Sequence, residues 1–283
     1  MPTSKPDCLV TTQWLADHLD APDLRIVDAT YFLPGTGRDP RAEYAEEHIP
    51  GAQFFDIEEI SDEKNPLPHM QPPQEKFASR MRKMGIGDGN RVIVYDTHGL
   101  FSAPRVWWMF RAFQHTDVAV LDGGLPKWKA EGRPVTDEIP LLTERHFTAR
   151  LDNMLVRTVS QVARNLDSGK EQFLDARSPG RFAGTDPEVR PGLRAGHIPG
   201  SLNVPLTALI NPEDKTLKKG DALRAVFKDA GVNLDKPLAT TCGSGVTACG
   251  VALGLYLLGH DRVPVYDGSW TEWGAREDLP LET

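Results

Sequence analysis

The strongest constraint on the fold is that the sequence contains the same pattern twice. Short motifs of the first half recur in the second half at offsets of 145 to 149 residues. The matched segments are residues 26–29 (IVDA) and 173–176 (FLDA), residues 48–52 (HIPGA) and 197–201 (HIPGS), and residues 122–124 (DGG) and 267–269 (DGS). Because each repeat has the length of a domain, the sequence predicts two copies of one domain, over residues 1–138 and 155–283.

Within each copy, short apolar runs alternate with helical patterns. Residues 91–96 (RVIVYD) and 118–122 (VAVLD) have the length and composition of buried strands, whereas Val106, Met109 and Phe110 recur at helical spacing. This alternation predicts an α/β fold in which each domain is a mainly parallel sheet flanked by helices. We interpret the apolar stripe of the helix as core.

Charge, apolar content and cysteine spacing exclude several classes of protein. The net charge is −8 and Lys and Arg form no basic run, so a nucleic-acid partner is not expected. No stretch of 18 apolar residues and no signal-peptide pattern occurs, which predicts a cytoplasmic protein without a membrane partner. The three cysteines, Cys8, Cys242 and Cys249, lack the spacing of a metal site and predict free thiols.

The two copies differ where a predicted strand meets the following loop. The first copy has Asp96 at this position and the second has Cys242. In open α/β sheets the chemistry lies at the carboxyl ends of strands, so Cys242 is predicted to be a nucleophile. The first copy is predicted to be catalytically inactive, and Asp96→Asn should cost little turnover. Most free cysteines are small buried apolar residues, which is our interpretation of Cys249.

The loop after Cys242 has the composition of an anion-binding turn. Two glycines permit a tight turn, so successive backbone N–H groups can point to one place at the start of a helix. Such groups would stabilise a thiolate, the form of cysteine that attacks sulfur, and then a persulfide anion. The predicted loop residues are Gly243, Ser244, Gly245, Val246 and Thr247.

The loop motif CGSGVTA (residues 242–248), together with the paired HIPG and DGG/DGS motifs, resembles the rhodanese superfamily over nearly the whole chain. The resemblance implies two tandem rhodanese-like domains, of which the second is catalytic. It also implies that a small anionic donor gives its sulfane sulfur to Cys242, and that the resulting persulfide passes the sulfur to cyanide or to a thiol acceptor, such as a thioredoxin-like protein. No metal or organic cofactor is implied.

The residues next to Cys242 indicate the donor. Superfamily members that use thiosulfate carry two cationic side chains there, whereas this chain has Gly243 and Ser244. The difference favours the singly charged carboxylate of 3-mercaptopyruvate over doubly charged thiosulfate, and pyruvate would be the leaving product.

Four arginines precede the second HIPG motif. Arginine has a planar, permanently charged fork that suits carboxylates. Similarity to superfamily members that use 3-mercaptopyruvate implies that Arg181 and Arg190 bind the donor. We expect Arg177 and Arg194 to be structural.

The resemblance also implies a relay of side chains between the two domains. In some relatives a histidine and an aspartate align with the loop serine, and the matching residues here are His69, Glu58 and Ser244. Glutamate stands where those relatives have aspartate, so the longer carboxylate must still reach the histidine. His48 and His197 occur in both copies, including the inactive one, and are expected to brace the fold.

Three other functions are compatible with part of this pattern. A cysteine-loop phosphatase would need an arginine that closes the loop on a phosphoryl dianion, and Ala248 stands at that place. A noncatalytic tandem module would dock partners without using the thiol, which the intact loop argues against. Sulfur transfer from thiosulfate is the nearest alternative.

Overall fold

The computed structural model describes residues 7–283, and its first domain is a five-stranded sheet with helices on both sides. In chain order its strands are β1 (Leu9–Val10), β2 (Leu24–Asp28), β3 (Ala52–Phe54), β4 (Arg91–Tyr95) and β5 (Val118–Leu121). Its helices are α1 (Thr12–Asp17), α2 (Pro40–Glu46), α3 (Gln74–Lys83), α4 (Ala103–Ala112) and α5 (Gly124–Ala130).

The second domain repeats this arrangement. Its strands are β6 (Val156–Arg157), β7 (Gln172–Asp175), β8 (Leu202–Asn203), β9 (Leu238–Thr241) and β10 (Val265–Tyr266). Its helices are α6 (Val159–Ser168), α7 (Pro179–Phe182), α8 (Gly220–Asp229), α9 (Ala248–Leu257) and α10 (Ser269–Trp273), with single 3₁₀ turns at Asn153–Leu155 and Leu206–Leu209.

The two sheets have equivalent strand orders, β1-β5-β4-β2-β3 and β6-β10-β9-β7-β8, and their paired strands are parallel. The predicted α/β fold with two tandem domains is therefore confirmed. Helices cover both faces, which explains why β4 is an apolar run without alternation: four of its five residues are buried. Asp96 and Cys242 directly follow the central strands β4 and β9, so the carboxyl edge of each sheet carries the position at which the copies differ.

The domains join through their equivalent helices α4 and α9, which pack against each other within a core that spans both domains. Helix α9 is apolar on all sides because it lies between its own sheet and the first domain. The side chain of Leu209 packs closely against Gly254 of α9. A Cβ at position 254 would lie 2.7 Å from that side chain, so a glycine is needed for this contact. Val106 and Phe110 of α4 are fully buried, so the predicted stripe is core.

The segment between α5 and the second domain lies against the first domain. Thr136 pairs with His48 through their backbones, while the imidazole Nδ1 of His48 lies 2.7 Å from the carbonyl oxygen of Tyr44. His197 pairs in the same way with Glu282. Both histidines thus brace the end of their domain. No helix in residues 7–283 is long and apolar enough to cross a membrane.

Candidate active site

The loop that carries Cys242 is fixed by the start of helix α10. The N–H of Cys242 donates to Ser269 Oγ at 3.2 Å, and its carbonyl accepts from the N–H of Trp270 at 2.9 Å. Thr271 donates to the carbonyl of Gly243 through both its N–H and its hydroxyl. The cysteine itself is 2% exposed. Its position after β9 is therefore set by the DGS motif, whose serine begins α10.

The loop passes through a left-handed residue at Gly245, with φ of +76°. A Cβ at this position would be strained, and it would lie 3.0 Å from both Arg105 Nη1 and the carbonyl oxygen of Asp267. Glycine is required there so that the loop can turn while the first domain packs against it.

Asp96 in the first domain shows how such a loop holds an anion. Its carboxylate is fully buried, and each oxygen accepts hydrogen bonds from the loop that follows. Oδ1 accepts from the N–H groups of His98 and Gly99, and Oδ2 from those of Phe101, Ser102 and Ala103, at 2.7–2.9 Å. Five convergent donors make this turn a strong anion site.

The offset between the copies assigns the equivalent donors in the second domain to residues 244, 245, 247, 248 and 249. The last of these, Cys249, donates to the carbonyl of Val246 at 3.2 Å instead. The N–H groups of residues 244, 245, 247 and 248 are therefore the candidates to stabilise a negative sulfur attached to Cys242.

A cavity of about 720 Å³ lies between the domains and reaches Cys242. The second domain supplies the loop, and the first supplies an apolar wall that includes Leu33, Leu100 and Phe101. Among the lining residues of the described chain, none is acidic and five are Lys or Arg: Arg177, Arg181, Arg190, Lys215 and Lys218. In a chain with a net charge of −8, this cavity favours anions.

The two arginines predicted to bind the donor both line this cavity. Arg181 reaches the loop so closely that a Cβ on Gly243 would lie 3.0 Å from its Nη2. Its guanidinium also donates to Glu188 at 2.5 and 3.1 Å, so its charge is partly balanced. Arg190 donates to the hydroxyl of Tyr31 in the first domain at 3.5 Å.

The other two arginines are engaged inside the second domain. Arg177 is buried, forms ion pairs with Asp175 at 2.7 Å and Glu188 at 2.6 Å, and lies 4.4 Å from the ring centroid of Trp270. Arg194 donates to four backbone carbonyls near the end of the chain. Arg177 does line the cavity, but its hydrogen bonds serve the fold.

The structure brings together the three residues of the predicted relay. His69 Nδ1 lies 3.0 Å from Ser244 Oγ, across the domain boundary. Glu58 Oε1 lies 3.9 Å from His69 Nε2, which is within ion-pair range and beyond a hydrogen bond. Burial lowers the pKa of His69, so its imidazole is neutral at pH 7, while the His69 side chain lowers the pKa of Glu58. A neutral imidazole beside a hydroxyl can accept a proton.

Sequence reasoning missed a buried arginine that joins the parts of this site. Arg105 of α4 is 0% exposed and donates to Asp267 at 2.6 Å and to the carbonyl of Gly245 at 3.2 Å. It also donates to the carbonyl of His69. A single guanidinium thus fixes the Cys242 loop relative to His69. The signal that could have revealed it was an arginine directly before five consecutive apolar residues, 106–110, of the same helix.

The aspartates of the repeated DGG and DGS motifs cross the domain boundary in opposite directions. Asp267 accepts from the N–H of Gln71 at 2.7 Å, and Asp122 accepts from the N–H of Leu217 at 2.8 Å and pairs with Lys219 at 2.7 Å. The repeated motif therefore gives each domain one aspartate that binds a backbone N–H group of the other domain.

The fold and the site define a tandem protein of the rhodanese class, with a thiol in one anion-binding loop and a carboxylate in the other. The model of the rhodanese-like domain matches residues 11–131 and 158–276, so the chain belongs to the rhodanese family.

Its relatives include enzymes named for two different donors. The 3-mercaptopyruvate sulfurtransferase of Homo sapiens is 47% identical over 95% of this chain and 92% of its own length. The thiosulfate sulfurtransferase of Rattus norvegicus is 46% identical over 97% of this chain and 94% of its own. A crystal structure of a 3-mercaptopyruvate sulfotransferase from Escherichia coli matches with a TM-score of 0.86 and 43% identity, over 93% of this chain and 99% of that chain. Because the identities are nearly equal, the donor has to be argued from the site.

Proposed function

We propose that this chain is a 3-mercaptopyruvate sulfurtransferase that carries sulfur on Cys242. The observation that carries the proposal is the position of Cys242 in a cavity lined by cations, next to the small neutral residues Gly243 and Ser244. The loop N–H groups balance one negative charge on sulfur, and Arg181 and Arg190 bind the donor carboxylate and keto oxygen beside the loop.

The contact between Arg181 and Gly243 favours this donor over thiosulfate. A Cβ at position 243 would lie 3.0 Å from Arg181 Nη2, so any side chain there would require the guanidinium to shift. Superfamily members that resemble this chain but use thiosulfate carry a cation at that position. In this chain the cation comes from Arg181 instead, so the charge sits where a donor carboxylate can reach it.

In the first half-reaction, the Cys242 thiolate attacks the sulfur of mercaptopyruvate and an S–S bond forms. The C–S bond breaks, and its electron pair goes to the methylene carbon as the enolate of pyruvate. The proton that the donor thiol carried ends on this carbon, which gives pyruvate and the Cys242 persulfide. His69 and Ser244 are within hydrogen-bond distance of each other and are placed to pass the proton, and the Glu58 carboxylate lies 3.9 Å from the other ring nitrogen of His69.

In the second half-reaction, an acceptor attacks the outer sulfur and Cys242 leaves as a thiolate. Cyanide gives thiocyanate, and a thiol gives its persulfide. A thioredoxin-like dithiol is a suitable acceptor because its second thiol can release the sulfur as sulfide and close a disulfide. Neither step as written requires a metal or an organic cofactor. Reduced thiols are abundant in the cytoplasm, where we place the enzyme.

The test is a steady-state comparison of the two donors with cyanide as the common acceptor. We expect kcat/KM to be at least tenfold higher for mercaptopyruvate, measured as pyruvate, than for thiosulfate, measured as thiocyanate. Equal or higher values for thiosulfate would overturn the choice of donor.

Two cysteine variants test the nucleophile. Cys242→Ser should form no persulfide and show no turnover, because a hydroxyl cannot carry sulfane sulfur. Cys249→Ser is the matched control, since its thiol is buried and donates to the carbonyl of Gly245, a bond that serine retains. Turnover in Cys242→Ser with labelled persulfide on Cys249 would refute the assignment. Absence of cyanolysable sulfur in the wild type after mixing with donor would indicate a docking module.

A further inference from the structure

A chain of alternating charges runs from the sheet of the second domain to the loop that carries the thiol. Asp175, the last residue of β7, pairs with Arg177 at 2.7 Å, and Arg177 pairs with Glu188 at 2.6 Å. Glu188 in turn accepts hydrogen bonds from Arg181 at 2.5 and 3.1 Å. Arg181 Nη2 would lie 3.0 Å from a Cβ on Gly243. The position of the Arg181 guanidinium beside the loop is therefore fixed from the sheet.

Glu188 is the link on which the position of Arg181 depends. One of its oxygens accepts from Arg177 and the other from Arg181. The Arg177 side chain is 0% exposed and that of Glu188 is 5% exposed, so neither can turn to solvent without leaving a buried charge unpaired. Glu188 is thus anchored on Arg177 and holds Arg181 through its second oxygen.

The first domain closes the equivalent strand without an arginine. Its strand β2 ends at Asp28, which matches Asp175 in the repeated motif, and Thr30 stands where the second copy has Arg177. Thr30 donates to the Asp28 carboxylate through its hydroxyl at 2.5 Å. The domain fold can therefore be built with a threonine at this place. The arginine–glutamate chain belongs to the copy that carries the thiol.

The charge of Glu188 decides how much positive potential Arg181 presents to the loop. Two carboxylates and two guanidiniums make up the chain of ion pairs, so its formal charge is zero. If Glu188 were neutral, the chain would carry one positive charge, and the unpaired cation would be Arg181 beside the loop. A cation interacts twice as strongly with a dianion as with a monoanion at the same distance. The charge of Glu188 therefore disfavours dianions more than monoanions.

We propose that Glu188 is a positioning residue that selects sulfur donors by their charge. It holds Arg181 beside Gly243 and offsets the charge of its guanidinium, so that the site prefers a donor with one negative charge to a donor with two. The described residues that line the cavity include Arg177 and Arg181 but not Glu188, so Glu188 acts on the donor through Arg181. This inference rests on the binding of the donor by Arg181 proposed above.

Three variants separate the charge of Glu188 from its shape. Glu188→Gln keeps the length of the side chain and one acceptor oxygen but removes the charge. A unit charge pair about 10 Å apart at an effective dielectric of about 20 favours the dianion roughly tenfold. The ratio of kcat/KM for thiosulfate to that for mercaptopyruvate should therefore rise about tenfold at low salt, and less at high salt because the cavity is open to solvent.

The other two variants are controls. Glu188→Asp keeps the charge but shortens the side chain, so Arg181 is less well positioned; kcat/KM should fall for both donors while their ratio stays within about twofold of the wild type. Glu277→Gln removes the charge of an exposed glutamate near the end of the chain and should leave the ratio unchanged. A thermal melt of each variant measures the contribution of Glu188 to stability separately.

A second measurement uses unreactive anions and does not depend on which donor the enzyme prefers. Malonate and its monoamide, malonamate, have nearly the same shape and differ by one negative charge at pH 8. Each is tested as a competitive inhibitor against the better donor of the wild type. In Glu188→Gln the inhibition constant of malonate should fall about tenfold relative to that of malonamate, and in Glu188→Asp and Glu277→Gln it should not.

The outcomes distinguish this inference from the proposed function. A wild type that prefers thiosulfate would refute the choice of donor, whereas the change in ratio between variants would still test Glu188. An unchanged ratio in Glu188→Gln, with a lower Tm or with both donors slowed equally, would overturn the inference and leave Glu188 a structural residue. Equal changes in Glu188→Gln and Glu277→Gln would also overturn it, since they would reflect net charge alone. If Glu188→Gln does not fold, a large change of ratio in Glu188→Asp, which keeps the charge, would overturn it.

Discussion

Replacement of Asp96 by asparagine separates the structural role of the first domain from catalysis. The sequence comparison predicts little loss of turnover, because Asp96 stands where the nucleophile is missing. The structure adds a cost in stability. The buried carboxylate accepts five backbone N–H groups of the loop that follows it, and an amide cannot accept from all of them.

The size of this cost follows from the geometry. If the amide oxygen takes the place of Oδ2 and keeps its three donors, the NH₂ group faces the N–H groups of His98 and Gly99, and two hydrogen bonds are lost. Hydrogen bonds to a charged group contribute about 1.5–3 kcal/mol each, which gives a loss of about 3–6 kcal/mol. Part of this is recovered, because the charge of Asp96 repels the neighbouring buried Asp28. We expect a net decrease of about 3–5 kcal/mol in the free energy of unfolding.

The assay is urea denaturation at pH 7 followed by circular dichroism, together with kcat/KM for mercaptopyruvate under native conditions. The variant should unfold at lower urea, with a decrease in Tm of roughly 10 °C, while kcat/KM per folded molecule stays within twofold of the wild type. Asp229→Asn, at an exposed site on α8, is the control and should change the free energy of unfolding by less than about 0.5 kcal/mol. A change below about 1 kcal/mol in Asp96→Asn would refute the reasoning, since the five hydrogen bonds would then contribute nothing that an amide cannot replace.

Three further predictions concern other buried or charged groups. Arg181→Lys keeps a positive charge but loses the planar guanidinium, so kcat/KM for mercaptopyruvate should fall more than tenfold while the Tm stays unchanged. Unaltered kinetics would exclude this residue from donor binding. Burial raises the pKa of Asp28 to about 6, so the folded state loses stability as pH rises from about 4 to 6 and stays lower above that. Asp28→Asn should therefore stabilise the protein by up to about 3 kcal/mol at pH 8 and by little at pH 4; equal effects at both pH values in urea titrations would contradict this. Arg105→Met leaves Asp267 as an unpaired buried charge and should lower the free energy of unfolding by about 3–5 kcal/mol. The double variant Arg105→Met with Asp267→Asn should recover part of this loss. Additive losses in urea denaturation would show that the two side chains do not interact.

Much of the architecture could be predicted from the sequence, because it depends on local patterns. The repeated motifs predict two copies of one domain, and the apolar runs predict their strands and helices. The carboxyl end of a central strand is where α/β proteins place their chemistry, so the exchange of Asp96 for Cys242 identified the position of the candidate nucleophile. These inferences need no knowledge of which distant residues touch.

The assembly of the site depends on contacts between residues far apart in the chain. His69 and Ser244 are separated by 175 residues and meet because α4 and α9 pack against each other. The role of Arg105 could not be read from its position, since its partners come from three separate segments of the two domains. The sequence predicted how each domain folds and where its thiol stands. The tertiary structure alone decided which side chains surround that thiol, because the cations of the second domain reach the cavity only through the folding of that domain, and the apolar wall and His69 reach it only when the first domain docks.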